Sequence, residues 1–404
     1  MAGDAARAFP AGPLSQTVQD YYASNGALDG SFGSSGRVTA DYSGMSEYGR
    51  ALISVSDDRL FVVGDMLTVA GSDFLVARFN SNGSLDTTFN GDGWAITNLY
   101  GSYDQAMAAA LQADGKLVLA GTVNDGSGAD IGLARYSSNG TLDTSFDFDG
   151  KAVTSVNGYD EAVHAILVQA DGRLLVAGAV NNGLDDDFAL LRYNWNGSLD
   201  TIFGVGGLVV ADYGIDADIA YAAVLLPDGK IVLAGQAETG SSQDFALLRV
   251  NPDGSPDTTF GSGGWVVTDF NGGDDGARAI ILMEDGRLVV AGVAANGATT
   301  DFAVARYMAN GSPDPLFGSS GKTTTDFGIN NNDEAAALVL QPDGKLVVAG
   351  WAFNGTSADF ALARYTTNGG LDNSFDEDGR VTTSLSAGDD HITSLGLQPN
   401  DKLV

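Results

Sequence analysis

Seven acidic residues, Glu47, Asp104, Glu161, Asp218, Asp275, Asp333 and Asp390, return along the chain at intervals of 57 or 58 residues. Carboxylate oxygens are what hard cations such as Ca²⁺ prefer as ligands, and carboxylate pairs also carry out glycoside hydrolysis. Each acid leads into a strand-like segment. The seven are therefore candidate ligands for calcium or for a cationic partner. A local role competes: an Asp or Glu can cap its own turn by accepting backbone N–H bonds. Recurrence of the same residue type in every copy speaks for the local role.

Other chemistry has little to build on. The two histidines, His164 and His391, fall in different copies and have no equivalents elsewhere. They do not make a Ser-His-Asp triad or a histidine-rich metal site. There is no cysteine, which removes thiolate ligands and disulfides. Acids are plentiful, but no pair stands out from the repeat, so no catalytic residue is assigned and an enzyme is not expected. "DFDG" from Asp147 and "DEDG" from Asp376 look like pieces of calcium loops but lack the closing Glu.

The elements that position these acids are written seven times. The Asp of an "LD..F" phrase stands at Asp29, Asp86, Asp143, Asp200, Asp257, Asp314 and Asp372. These copies fill nearly the whole chain, so residues 1–404 are read as one domain. Each copy holds four short apolar runs. In one of them "AVHAILVQ", "RLLVAGAV", "FALLRYN" and "LVVAD" are separated by Asp-Gly, Asn-Gly and polar loops. Such runs broken by turn dipeptides are strand and hairpin signals. Both parities of the runs are often apolar, which asks for burial on both faces of the sheet.

Four-stranded antiparallel sheets covered on both faces pack around an axis as the blades of a propeller. The expected fold is all-β, a seven-bladed β-propeller. A linear solenoid would need polar end caps, and none is visible. The chain stops at Lys402, Leu403 and Val404 and starts Met1, Ala2, Gly3; joined, these read "KLVMAG", in register with "KLVLAG" and "KLVVAG". The closing blade is therefore expected to be shared between the termini, roughly residues 385–404 plus 1–42. Gln16 and Tyr21 replace the Asp and Arg of other copies there, and this seam is expected to be the weakest part of the ring.

The "LD..F" phrase reads as turn chemistry, with Asn-Gly supplying positive φ and the Asp accepting bonds from its own turn. Recurring Arg78, Arg135, Arg192, Arg249, Arg306 and Arg364 are expected to bridge blades by pairing with a buried acid. The loops between second and third strands differ from copy to copy ("TVAGSD", "DGSGAD", "NNGLDDD", "TGSSQD", "NGATTD", "NGTSAD") while the strands do not. Variable loops on a rigid scaffold are where binding specificity usually lives. Trp94 and Trp265 begin fourth strands and Trp195 sits in a turn.

The stretch Lys345–Gly350 with Asp359–Phe375, "KLVVAG … DFALARYTTNGGLDNSF", resembles the bacterial delta-60 repeat, a propeller family of unknown function, and the likeness covers essentially the full chain. The resemblance implies a propeller on an exported or cell-surface bacterial protein, and no established activity.

A formal charge of −32, from 52 acids against 20 Lys and Arg, argues against nucleic acid and repels anionic membranes. No run of 18 apolar residues predicts membrane insertion, and the N-terminus "MAGDAARAFPAGPLSQ" shows no export signal. A monomer is expected. The leading expectation is a non-catalytic binding or structural module, calcium-assisted, that takes a protein or glycan at the acidic mouth of the propeller. The alternatives are a glycan-directed lectin or hydrolase and an intracellular interaction scaffold.

Overall fold

The computed structural model describes residues 17–404 apart from positions 21, 24, 43, 125, 127, 157, 215, 241, 329 and 330. The seam positions Gln16 and Tyr21 and the junction at residues 1–3 lie outside the described residues. Every regular element among the described residues is a β-strand. Among the described residues no helix is long and apolar enough to cross a membrane.

Six successive antiparallel units span Ser46–Thr97, Tyr103–Thr154, Glu161–Ala211, Ile219–Thr268, Gly276–Thr325 and Asp333–Thr383, each with four strands in chain order. In the third unit Glu161–Val168 pairs with Leu174–Asn181, which pairs with Asp186–Tyr193, which pairs with Leu208–Ala211. The first two units are joined in one eight-stranded sheet by a single parallel contact, Ser72 with Tyr103, and no sheet closes on itself. Before the first unit, Thr17–Asp20 pairs with Arg37–Ala40.

The packing explains why both parities of the middle strands are apolar. Val176 and Leu191 enter a cluster with Val118 and Leu133 of the unit before. Their chain neighbours Leu175 and Leu190 enter another cluster, with Leu233 and Leu248 of the unit after. A pleated strand sends successive side chains to opposite faces, so a strand apolar throughout belongs between two sheets. Each fully buried Leu or Val contributes about 1.5–3 kcal/mol.

The glycine of each "AG" phrase has its own reason. The first strand bulges opposite it, with the register shifting between Ala220 and Ala222 against Gly235 and Ala234. A Cβ on Gly235 would sit 1.8 Å from the Ile219 carbonyl oxygen, so only glycine lets the bulged backbone come this close. The same register shift recurs in all six units.

The "LD..F" turns knit neighbours together. Asp314 Oδ1 accepts the Leu316 N–H at 2.9 Å, and Phe317 is fully buried. The residue after that Phe donates its amide to the Asn-Gly turn of the next unit: Asn90 to Asn139 O at 2.6 Å, Asp147 to Asn196 O at 2.8 Å, Gly318 to Asn368 O at 2.8 Å. Gly204 reaches Asp253 O and Gly261 reaches Asn310 O in the same way. The terminal segments make two further bonds of this kind, Gly33 N to Asn82 O and Asp376 N to Asn25 O, both at 3.0 Å.

The two ends of the described chain also pair directly. Tyr22 N donates to Leu403 O at 2.9 Å and Leu403 N to Tyr22 O at 3.1 Å. Leu403 and Tyr22 are buried with Phe375 and Val381 of the sixth unit, while Val404 and Phe32 are buried with Leu60 and Val62 of the first.

Candidate functional site

The seven recurring acids are all 3% exposed or less. Each accepts an amide from the loop that precedes its strand: Tyr42 to Glu47, Leu99 to Asp104, Val156 to Glu161, Tyr213 to Asp218, Phe270 to Asp275, Phe327 to Asp333 and Leu385 to Asp390, at 2.6–3.1 Å. Each one lies at its own junction between units, and the seven do not meet in one place. Burial has a price in charge. It pushes Glu161 up to about 8, with Asp130 and Asp160 adding to it, Asp218 and Asp275 to about 6, and Asp333 to about 7.

Three junctions gather more acid than capping needs. Asp187, Asp212 and Asp218 place carboxylate oxygens within 4.8 Å of one another, as do Asp244, Asp269, Asp275 and Asp301, Asp326, Asp333. In each triad the first member lies near the start of a third strand, the second directly follows a fourth strand, and the third stands at or just before the start of the next unit. The second member is exposed and the other two are buried. The third members were candidates from sequence; the other two were missed, though their fixed spacing in three consecutive copies was a readable signal.

The same end of each unit carries the variable loops. Val69 and Leu184 are fully exposed at two loop tips, and Tyr100, Tyr103 and Tyr159 are 63%, 59% and 46% exposed in or beside the links between units. The Gly71 backbone abuts the Ser102 carbonyl, and the Tyr159 hydroxyl lies against Gly183, so loop and link meet in space. The opposite end exposes Phe148, Trp195, Ile202, Val205 and Leu316. Trp94 is buried and Trp265 half-buried.

A second set of residues escaped the sequence reading. The bulged positions of successive first strands are Arg50, Met107, His164, Tyr221, Arg278 and Ala336, a column whose type changes in every unit. Three of them stack: the His164 and Tyr221 rings are 4.8 Å apart, and the Arg278 guanidinium lies 4.0 Å from the Tyr221 ring centre. Burial first, then Arg278, pushes His164 down to about 4, so it is neutral at physiological pH. His391 packs on Trp351 instead. Counting three residues on from each recurring acid would have found this column.

The recurring arginines are bound into the scaffold. Arg306 Nε donates to Asp314 Oδ2 at 2.8 Å, its Nη1 reaches Thr367 O of the next unit at 2.6 Å, and its plane covers the Phe317 ring. Arg192 and Arg249 repeat this with Asp200 and Asp257 and with the carbonyls of Pro252 and Ala309, while Arg78 forms an ion pair with Asp86 and donates to the Ser138 carbonyl. Arg135 does the same with Asp143 and the Trp195 carbonyl, and Arg364 pairs with Asp372 at 2.8 Å. Asp29 takes Lys402 instead; that bond and those from Ser31 hold it down to about 2.

No curated protein matches the chain in sequence. Among solved structures, Sqt1 from Chaetomium thermophilum aligns at 12% identity over 81% of this chain and 71% of that one, with a TM-score of 0.43. A polysaccharide lyase of family PL25, an ulvan lyase, aligns at 13% over 83% and 81% with a TM-score of 0.45. Drosophila Semaphorin 2a aligns at 9% over 88% and 73% with a TM-score of 0.46. Values this low carry no argument about the chain. The family model described as a domain of unknown function (DUF5122) beta-propeller matches residues 56–89, 112–146, 169–203, 226–260, 284–317 and 341–375, together more than half of the chain. The protein belongs to that DUF5122 β-propeller family.

Proposed function

We propose that residues 1–404 form one seven-bladed β-propeller that works as a non-catalytic binding module, with its ligand face at the end carrying the recurring acids. The observation that carries the binding reading is the exposed set Val69, Tyr100, Tyr103, Tyr159 and Leu184 on variable loops and links above buried carboxylates. Tyrosine faces attract cations, and an acidic field raises the local concentration of basic partners. The partner is therefore a Lys- and Arg-bearing protein segment. In keeping with the family resemblance, the setting is extracellular or at the cell surface, which protease shaving of intact cells making the full-length protein would test.

Phage-displayed random peptides selected on the chain should enrich for Lys and Arg. Binding should weaken at high salt and fall about tenfold or more in Tyr100→Ser/Tyr103→Ser, while Phe148→Ser/Ile202→Ser at the other end leaves it unchanged. Loss only in the second variant would move the ligand face. Release of product from a panel of soluble polysaccharides would overturn the non-catalytic reading. A glycan-directed module is the second reading, favoured by exposed Trp195, which lines a cavity with Lys116, Gln169 and Asp171; indole faces stack well on flat apolar surfaces.

Closure of the ring is supported by the Tyr22–Leu403 pairing and by the terminal links Gly33 to Asn82 and Asp376 to Asn25. Hydrogen-bonded antiparallel partners have Cα atoms about 5.5 Å apart, within disulfide range. The chain has no cysteine of its own. Tyr22→Cys/Leu403→Cys should therefore cross-link within one chain on mild oxidation of the folded protein. Free thiols persisting in a folded variant, judged by circular dichroism, would count against closure.

A further inference from the structure

At five junctions between units a third-strand Asp lies near the buried acid that begins the next unit: Asp73 by Asp104, Asp130 by Glu161, Asp187 by Asp218, Asp244 by Asp275 and Asp301 by Asp333. Carboxylates this close need compensation. The chain solves this in different ways. At the first junction Asn98 donates from Nδ2 to Asp73 Oδ1 at 2.8 Å, so an amide supplies the positive end. At the second, position 155 is serine, so no third carboxylate joins Asp130 and Glu161, and the nearby Asp130 adds to the burial that raises Glu161. At the next three junctions the equivalent of Asn98 is a third carboxylate: Asp212, Asp269 or Asp326.

Those three triads receive only neutral donors, such as Asn182 to Asp187, Thr239 to Asp244 and Asn296 to Asp301, which solvate the carboxylates without cancelling their charge. Among the described residues no Lys, Arg or His makes an ion pair with any of the nine carboxylates. Lys322 and Arg380 reach only the main-chain oxygens of Asp269 and Asp326, and no such contact is made at Asp212. Asp104 Oδ1 and Glu161 Oε2 accept no hydrogen bond at the first two junctions, and in the triads the buried oxygens left without a donor are Asp187 Oδ1, Asp244 Oδ1 and Asp333 Oδ1. Asp187, Asp244 and Asp333 are 3%, 4% and 0% exposed. A buried acceptor without a donor is costly, and one on a carboxylate more so.

We propose that the three triads are calcium sites, one at each of three successive junctions between four-stranded sheets. The donor set is oxygen only, which selects hard cations over zinc or copper. Two oxygens on one Ca²⁺ at about 2.4 Å stand at most about 4.8 Å apart, and the oxygens of each triad lie within 4.8 Å of one another. Mg²⁺ demands near-ideal octahedral geometry and gives up its waters reluctantly, so a partly buried carboxylate set favours Ca²⁺. The exposed second Asp gives the ion its way in, and the buried pair holds it. Each ion ties a third and a fourth strand of one unit to the first strand of the next, so it acts as a clamp between units.

The inference deepens the calcium-assisted part of the sequence expectation. Its test uses the isolated chain and needs no partner, so it fails separately from the binding reading. Chain stripped with EDTA and dialysed against micromolar to millimolar CaCl₂ should take up one calcium ion for each of the three triads, and its thermal midpoint should rise with calcium. Ligand binding to the native state alone requires that rise. MgCl₂ at equal concentration should give a smaller one. Asp212→Ser, Asp269→Ser and Asp326→Ser should each remove one ion, and the triple variant should remove all calcium dependence. Serine is the residue the chain itself carries at Ser155 and Ser384, so folding in EDTA should match the parent. No uptake at millimolar calcium, uptake undiminished in the triple variant, or an equal response to magnesium would overturn the proposal.

Discussion

Arg306→Met should lower the stability of the protein by about 3–5 kcal/mol in urea unfolding, the loss typical when one partner of a buried ion pair is removed. Arg306 and Asp314 are each 3% exposed. Removing the guanidinium leaves Asp314 with only the partly exposed Arg287, at 2.9 Å, and leaves the Thr367 carbonyl of the next unit without its donor. It also uncovers the Phe317 ring. Arg306→Lys keeps the charge but cannot donate to the carboxylate and the carbonyl together, since the planar fork is lost. Its cost should be intermediate. A lysine variant as stable as the parent would mean that charge alone matters and that the bond to the next unit contributes nothing. Because one side chain serves both its own turn and the following unit, the effect should appear as loss of cooperativity between units as well as a lower midpoint.

Glu161→Gln should stabilise the protein at pH 9 by about 3 kcal/mol and leave it unchanged near pH 5, with the pH dependence read from urea midpoints. The folded chain holds the Glu161 proton up to about pH 8, while the unfolded chain releases it near the ordinary 4.5. Between those values the native state binds more protons, so parent stability falls as pH rises through that window and stays reduced above it. Glutamine keeps the acceptor for the Val156 amide at 3.1 Å and can donate to Asp130, as Asn98 does to Asp73. Its curve should therefore be flatter. The opposite slope appears at acid pH. Asp86 and Asp372 are held down to about 2 against the effect of burial, Asp86 through Thr88 and then Arg78, Asp372 through Ser374, then Lys345 and Arg364. The stability they supply is present above about 3.8 and is lost as pH falls through about 2. Parent stability should thus peak between the two limbs. A variant curve parallel to the parent's from pH 5 to 9 would remove Glu161 as the cause of the upper limb.

Architecture was legible in the sequence because the repeat is written in local terms. Asn-Gly and Asp-Gly turns, runs apolar at both parities and the fixed return of "LD..F" each report on a few consecutive residues. Burial on both faces then leaves few ways to arrange such sheets. That the recurring arginines need an acid was also readable, since a charged residue fixed among buried positions needs a partner, but the acid lies in the same unit and the link to the next unit is a main-chain carbonyl. The register of the first strand was not. The bulge shows only when Gly235 and Ile219 are placed together, 16 residues apart in sequence, and with it the column from Arg50 to Ala336.

The candidate site divides the same way. The seven acids were visible as a periodic position, but periodicity cannot tell a turn cap from a ligand, because both ask for a carboxylate. Only tertiary structure decided that each is buried, and that Asp212, Asp269 and Asp326 complete triads while Asn98 and Ser155 do not. Local hydrogen bonding and strand period are properties of short stretches, so sequence alone determined the units and their turns. Charge compensation depends on which groups different units bring within a few ångströms, and that is settled only when the sheets pack.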